Sequence, residues 1–352
     1  MSYRVLLSTP HPNWPLLRQL PGQSACMFSG HSFNSQQRTA TWDDWTFIVD
    51  EETDEVDAWV VLEDVTTPQC TKVSPQNTLL LTGEPPSMRC YRRSYLQQFA
   101  HVITCHASLA NDHVRQPDIQ LASQGLPWHI GVDRLNNDSV RFTYDDFATA
   151  PQPTKTGLIS VVCSNKTITR DHRARLEFVH TLQQHFGNDL CVFGRGFKEI
   201  GDKWDAIAPF QYHIVLENDS VPHYFSEKLT DCFLAQSYPI YYGCPNVDQY
   251  FSPQSFTPID IHQPAQAISS IQQVIAANLA QMRMDAVRQS RDLVLNEYNL
   301  FAIIKNFFGP RFAADRPRTG RPVEQTLYPR RHKWSLQWAK LQRFHRRLVQ
   351  AA

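Results

Sequence analysis

A repeated alternation constrains this 352-residue chain more than any other feature: apolar runs of strand length, each separated from the next by helical or polar segments, occur in two rounds. The first round contains YRVLLS (3–8), AWVVLE (58–63), TLLLTGE (78–84) and HVITCH (101–106), bounded by polar or proline-containing turns. RCYRRSYLQQF (89–99) fits a helix between the third and fourth runs. The second round has GLISVVCSN (157–165), LCVFGRG (190–196), YHIVLEN (212–218) and YPIYYG (238–243) as strands. Its helices are RARLEFVHTLQQHF (173–186) and a segment starting near Ser226, where Leu229, Phe233 and Leu234 recur at helical spacing. Between the rounds, DFATAPQPTKT (146–156) has two prolines and no aliphatic residue larger than alanine, which predicts a linker. The expectation is an α/β chain of two Rossmann-like domains, over 1–150 and 157–310, with a tail over 311–352. In open sheets of this kind ligands sit beyond the carboxyl ends of the strands, so the interdomain cleft is the expected site.

Apolar residues at 42% and charged residues at 19% describe a globular protein. No run of about 18 apolar residues occurs, and MSYRVLLSTPHPNW reads as a first strand, not a signal peptide. The eight cysteines form no CxxC pair, and several sit in strand-like runs, so free thiols in a reducing cytoplasm are expected. The fourteen histidines show no HExxH spacing, and the pairs His101/His106 and His11/His31 have no nearby cysteine, so no metal site is expected.

Polar residues gather where the second round's strands end. Ser164 and Asn165 close its first strand, Gly194-Arg195-Gly196 the second, Glu217-Asn218 the third, and Glu227-Lys228 stand just beyond. Free backbone N–H groups at a helix start favour an anion, and Arg175, Arg195 and Lys228 add full positive charge. Neither GxGxxG nor GxxxxGK[ST] is present, which removes the main support for a nicotinamide dehydrogenase or a P-loop NTPase. A lone GxG after a strand is more often simply a turn. Taken alone, Glu227-Lys228 reads as a solvated first-turn pair, and Glu84 in LLLTGEPP more readily as a turn acid or a cap for a helix near Met88 than as a cleft residue.

Residues 203–251 resemble the donor-binding signature of the family 10 fucosyltransferases, the α1,3/α1,4 enzymes. The matches are Glu217-Asn218, then Tyr224-Phe-Ser226-Glu227-Lys228 with Ser for Thr, then Pro239 to Gly243. Upstream, Ser164 and Asn165 followed by Arg175 also match, with Arg173 as the alternative phosphate ligand. Gly194-Arg195-Gly196 falls at the family's turn. Asp219 stands where a Ser is usual and Gln236 where a Gly is common. The resemblance implies a GT-B-type enzyme that moves L-fucose from GDP-fucose to a glycan hydroxyl with inversion. It makes Glu84 the general base and Ser164, Asn165, Arg175, Arg195, Glu217, Asn218, Tyr224, Ser226, Glu227 and Lys228 the donor-binding set. No cofactor is required, and a divalent metal is at most stimulatory. The alternatives are the same fold with another nucleotide sugar, or a silent nucleotide- or glycan-binding protein. Trp128 and His129 are candidates for receiving the acceptor sugar, and equally for a core pair. The sequence does not give the acceptor, the linkage position or the oligomeric state.

Net charge is zero, yet from 311 onward there are eleven Lys/Arg against two acids, leaving 23 basic against 32 acidic residues before it. RRHKWSLQWAKLQRFHRRLVQ (330–350) puts Trp334, Trp338, Leu341, Phe344 and Leu348 on one helical face. That pattern reads either as peripheral binding to an anionic membrane from the cytoplasm or as a helix closing on the body. Nucleic acid is a poor partner for the acidic remainder.

Overall fold

A computed structural model describes residues 2–12, 14–23, 38–110, 117–167, 170–313 and 321–331. The chain forms two compact units. The first draws its described residues from Met1–Asn13, Ser35–Gln124 and Ile304–Ala352, and the second from Trp14–Asn34 and Gly125–Ile303.

The first unit holds β1 (Tyr3–Ser8), β2 (Thr39–Trp42), β3 (Trp45–Val49), β4 (Ala58–Leu62), β5 (Gln69–Val73), β6 (Thr78–Leu81), β7 (His101–Thr104) and β8 (Asp118–Leu121). Its seven-stranded sheet runs β2-β3-β1-β4-β6-β7-β8, with every pair parallel except the β2–β3 hairpin. All residues of β4 and β6 are buried, as a parallel sheet covered on both faces requires, and this is why they read as unbroken apolar runs. The expected helix over 89–99 shrinks to a single turn, α1 (Arg93–Leu96), and a second turn is α2 (Ala107–Ala110). The cause is Glu63: its carboxylate takes bonds from Arg89 and from the Tyr91 hydroxyl, and its carbonyl takes one from Tyr95, so these side chains are drawn to one buried acid.

The second unit holds the ribbon β9 (Val132–Asp133) and β10 (Ser139–Val140), then β11 (Gly157–Val162), β12 (Leu190–Phe193), β13 (Phe210–Leu216), β14 (Tyr238–Tyr242) and β15 (Thr257–Pro258). Its main sheet runs β12-β11-β13-β14-β15 and is parallel throughout. Successive strands therefore leave β11 in opposite directions, and the switch point lies between β11 and β13. Helices α3 (Tyr144–Thr149), α4 (Arg170–Phe186), α5 (Trp204–Ile207), α6 (Glu227–Leu234), α7 (Pro264–Ala276), α8 (Leu279–Met282) and α9 (Met284–Asn296) accompany it. Phe178, Val179 and Leu182 of α4 and Leu229 and Phe233 of α6 join the strand residues Ile159, Val161 and Ile214 in one core.

Two expected boundaries move. The second unit starts its longer segment at Gly125 and also takes in Trp14 onward, where a boundary near 150 was expected. Fully buried Arg18 explains this: its guanidinium donates to the carbonyls of Phe142, Trp128 and Ile130 at 2.8–2.9 Å, tying both segments together. Part of the expected linker is helix α3, closed by a capping box between Thr143 and Asp146, with Phe147 in the core. Of the remainder, Lys155 Nζ bonds the carbonyls of Ala208 and Ala235 and the Ser237 hydroxyl.

After α10 (Leu300–Ala313), β16 (Val323–Leu327) pairs antiparallel with β5, and Leu327 is buried with Val73 and Trp59. The tail therefore does not begin at 311: 321–331 belongs to the first unit, through Tyr328 N to Gln98 Oε1 and Arg330 N to Asp64 Oδ1, both at 2.8 Å. The amphipathic pattern of 330–350 falls outside the described residues from 332 on, as do Cys26 and His31. The seven described cysteines are free thiols, and no helix among the described residues is long and apolar enough to cross a membrane.

Candidate active site

The loops after β11 and β13 flank the switch point. Asn165 N donates to Arg195 O at 3.0 Å, which docks the loop after β11 on the turn after β12. That turn needs both glycines. Gly194 has φ +113° and a Cβ there would lie 2.2 Å from Cys163 O; Gly196 has φ +88° and its Cβ would lie 2.7 Å from Asn165 Nδ2. Arg195 is exposed at the crest between them.

Arg175, six residues into α4, is buried and aims at the end of β13. Its Nη1 donates to Asn218 Oδ1 at 2.7 Å and to Leu216 O at 3.1 Å, and its buried Nε has no partner among the described residues. Arg173 is exposed and turns instead to Thr167 O at 3.1 Å. Buried His172, which the sequence reading overlooked, lies within the field of Arg175, Lys166 and Lys228; burial first, then these cations, holds its pKa below the usual value. Its spacing of three from Arg175 on one helix face was the signal available.

Helix α6 starts on Ser226, whose Oγ accepts from Lys228 N at 3.3 Å. Ser226 in turn gives its N–H and its hydroxyl to the two oxygens of Glu217. Lys228 Nζ lies 3.0 Å from Ser226 Oγ and 3.4 Å from Glu217 Oε2. Glu217, expected to bind a ligand, is wholly buried with both oxygens engaged, so its part is to place Ser226 and Lys228. Tyr224 is likewise buried. A Cβ on Gly243 would come within 2.5 Å of Glu217 Cγ, which explains a glycine at the end of β14.

Glu227 does not stand in solvent. Lys203 Nζ lies 3.1 Å from its Oε1 and 3.0 Å from Asp231 Oδ2, and His129 Nδ1 is 3.4 Å from the same Oε1. Burial alone would raise the Glu227 pKa, but Lys203, Lys228 and His129 together hold it well below the usual carboxylate range. Burial lowers the Lys203 pKa, and Glu227 and Asp231 more than reverse it. Lys203 opens the segment that resembles the donor signature, but its partner Glu227 lies 24 residues away and leaves no local sign of the pairing.

Trp128 cannot receive a sugar, since it is fully buried edge-on against Phe147 at 6.0 Å between ring centroids; His129 belongs to the Glu227 cluster. In the first unit, Glu84 lies three residues past β6. Its N–H donates to Glu63 Oε1 at 2.6 Å and its carbonyl accepts from His106 Nε2 at 2.9 Å. It caps no helix, because α1 begins at Arg93 with Arg92 as its cap. A cavity of about 740 Å³ beside the end of β14 is lined by Asp171, Asp219, Tyr242, Asp260 and His262 without a lysine or arginine, a lining that disfavours an anion. Among the described residues, no group of three or more His, Cys, Asp or Glu is placed to hold a metal ion.

Each of the two units is thus built on a mainly parallel sheet, and in the second Arg175 and Lys228 stand where β13 ends, beside the switch point. Residues 152–284 match the family described as glycosyltransferase family 10 (fucosyltransferase) C-term. One curated relative, the alpha-(1,3)-fucosyltransferase FucT of Helicobacter pylori, is 26% identical over 110 residues, 31% of this chain. The match spans 22% of that relative's length. Among solved structures, an alpha1,3-fucosyltransferase aligns over 92% of this chain and 93% of its own at 15% identity and a TM-score of 0.47. An alpha1,3-fucosyltransferase with GDP-fucose aligns over 91% and 93% at 16% identity and a TM-score of 0.45.

Proposed function

We propose that this protein is an inverting fucosyltransferase that moves L-fucose from GDP-fucose to a hydroxyl of a glycan acceptor, making an α1,3- or α1,4-type linkage. One observation carries the reading: within the family-matching segment, Arg175 and Lys228 converge with the amino end of α6 on the carboxyl ends of β11 and β13. A diphosphate gathers negative charge as it leaves, and fixed cations with free N–H groups stabilise it where that charge develops. Lys228 and Arg175 hold the diphosphate, with Ser164, Asn165, Asn218 and Arg195 around it. Glu227, acceptor-only when ionised, takes the ribose hydroxyls. Ser226, Glu217 and Tyr224 support these groups from beneath.

Glu84 removes the proton of the acceptor hydroxyl as that oxygen attacks the fucose anomeric carbon from the face opposite GDP. The bond to the β-phosphate oxygen breaks with its electron pair, and the configuration inverts. General-base assistance of this kind contributes about 10²–10⁴-fold. No cofactor beyond the donor is assigned, and a divalent metal is at most stimulatory. The test is incubation of the full chain with labelled GDP-fucose and a panel of galactose- and N-acetylglucosamine-containing acceptors, with and without EDTA, followed by linkage analysis. A fucosylated product of inverted anomeric configuration is expected in both. Transfer from a UDP-sugar alone removes the fucose assignment; tight GDP binding without any transfer supports a silent binding protein instead.

A further inference from the structure

Glu227 is gripped through one oxygen. Lys203 Nζ, His129 Nδ1 and Lys228 Nζ stand 3.1, 3.4 and 3.7 Å from its Oε1, and among the described residues none bonds its Oε2. The grip is itself anchored. Lys203 bridges Glu227 to Asp231 one turn further along α6, and fully buried Asp231 accepts the His129 backbone N–H on its other oxygen at 3.1 Å. The His129 ring rests edge-on to Trp14 at 5.1 Å between centroids, so it has little freedom to swing away.

We infer that Lys203 and His129 are positioning residues for the nucleotide ribose: they fix Glu227 through Oε1 and leave Oε2 to accept the vicinal hydroxyls. The inference rests on the reading of Glu227 as the ribose ligand. A glutamate on a helix surface samples several rotamers, and a carboxylate that must meet two adjacent hydroxyls gains affinity when its rotamer is set before binding. Lys203 and His129 supply that constraint without occupying the oxygen that binds. A purely structural ion pair would leave the two oxygens without distinction towards a nucleotide, and a ribose-specific measurement separates the two.

Calorimetric titration of the full chain with GDP and with 2′,3′-dideoxy-GDP provides it. Wild type is expected to favour GDP by about tenfold or more, the worth of hydrogen bonds to a charged group. Lys203→Met and His129→Phe should each weaken GDP about five- to tenfold while dideoxy-GDP stays within about twofold, and Lys203→Arg should recover part of the loss. Lys203→Met takes the cation from fully buried Asp231 and one of three partners from Glu227; should it not fold, His129→Phe, at a partly exposed ring, reads the same ratio. Equal weakening of both nucleotides overturns the inference, because it marks a structural role, and so does an unchanged ratio. A wild type that binds both nucleotides alike overturns it while leaving the donor reading standing. Failure of the wild type to bind GDP at all removes the donor reading and this inference with it.

Discussion

Ser226 gives its backbone N–H and its hydroxyl to the two oxygens of Glu217, at 2.7 and 2.6 Å. Glu217 directly follows β13, so one carboxylate fixes the end of a strand, the start of α6 and, through the 3.0 Å contact of Lys228 Nζ with the same hydroxyl, the place of a cation. Ser226→Ala removes the cap and leaves a buried carboxylate short of a donor. Stability should fall by about 1–3 kcal/mol, with Ser226→Thr keeping most of it. Denaturant unfolding measures this, and a loss below about 0.5 kcal/mol, the size of an ordinary surface change, would deny the clamp its importance.

Glu84→Gln should lower turnover by about 10²–10⁴-fold with GDP affinity unmoved. Glu63 holds the Glu84 loop through backbone N–H groups of Gly83 and Glu84, so the amide leaves that loop in place. Initial rates beside calorimetric GDP titrations decide it. Equal rates in the two proteins would discard Glu84 as the base.

Asp202 gives a pH signature. It is fully buried, with Oδ1 accepting from Gly131 N at 2.8 Å and Trp204 N at 2.9 Å; burial outweighs these bonds and Arg141, pushing its pKa up to about 6. An unfolded aspartate titrates near about 3.9, so between these values the folded protein keeps a proton that the unfolded chain has released. The resulting stability is full below about 3.9 and is lost as pH rises through about 6. Urea unfolding from pH 4 to 7 should show this slope in wild type and a flatter profile in Asp202→Asn. An equally steep variant would place the slope elsewhere.

Much of this was legible in the sequence because it is local. The parallel strands are apolar runs, and the start of α6 is a Ser-Glu-Lys cap. The β2–β3 hairpin escaped notice because its turn, Asp43-Asp44, carries no glycine, yet Asp43 adopts φ +52°. Other features are tertiary and leave no local trace. Lys203 and His129 meet Glu227 across 24 and 98 residues, and Trp128 reads as a sugar platform until its burial is known. The capping box at Thr143 was readable but hidden by the prolines that follow, and β16 by the basic residues around it.

The C-terminal residues should divide into two functions. A chain ending at Arg331 keeps β16 and should unfold like the full protein, whereas one ending at Gly320 loses the β5 pairing and buried Leu327 and should melt several degrees lower. If the basic stretch beyond 331 binds anionic membrane, each Lys or Arg near the surface contributes about 1 kcal/mol, screened by salt. Sedimentation with anionic vesicles at low salt, lost in the chain ending at Arg331, is the expected result. Retained sedimentation would refute the anchor.

The central claim is that Arg175 and Lys228 hold a diphosphate, and the most direct measurement is calorimetric titration of wild type and Lys228→Ala with GDP and with guanosine. Lys228→Ala should weaken GDP by about 1.5–3 kcal/mol, the range for charged hydrogen bonds, and leave guanosine nearly unchanged. Equal losses for GDP and guanosine would contradict the claim, because Lys228 would then support the fold and not the phosphates.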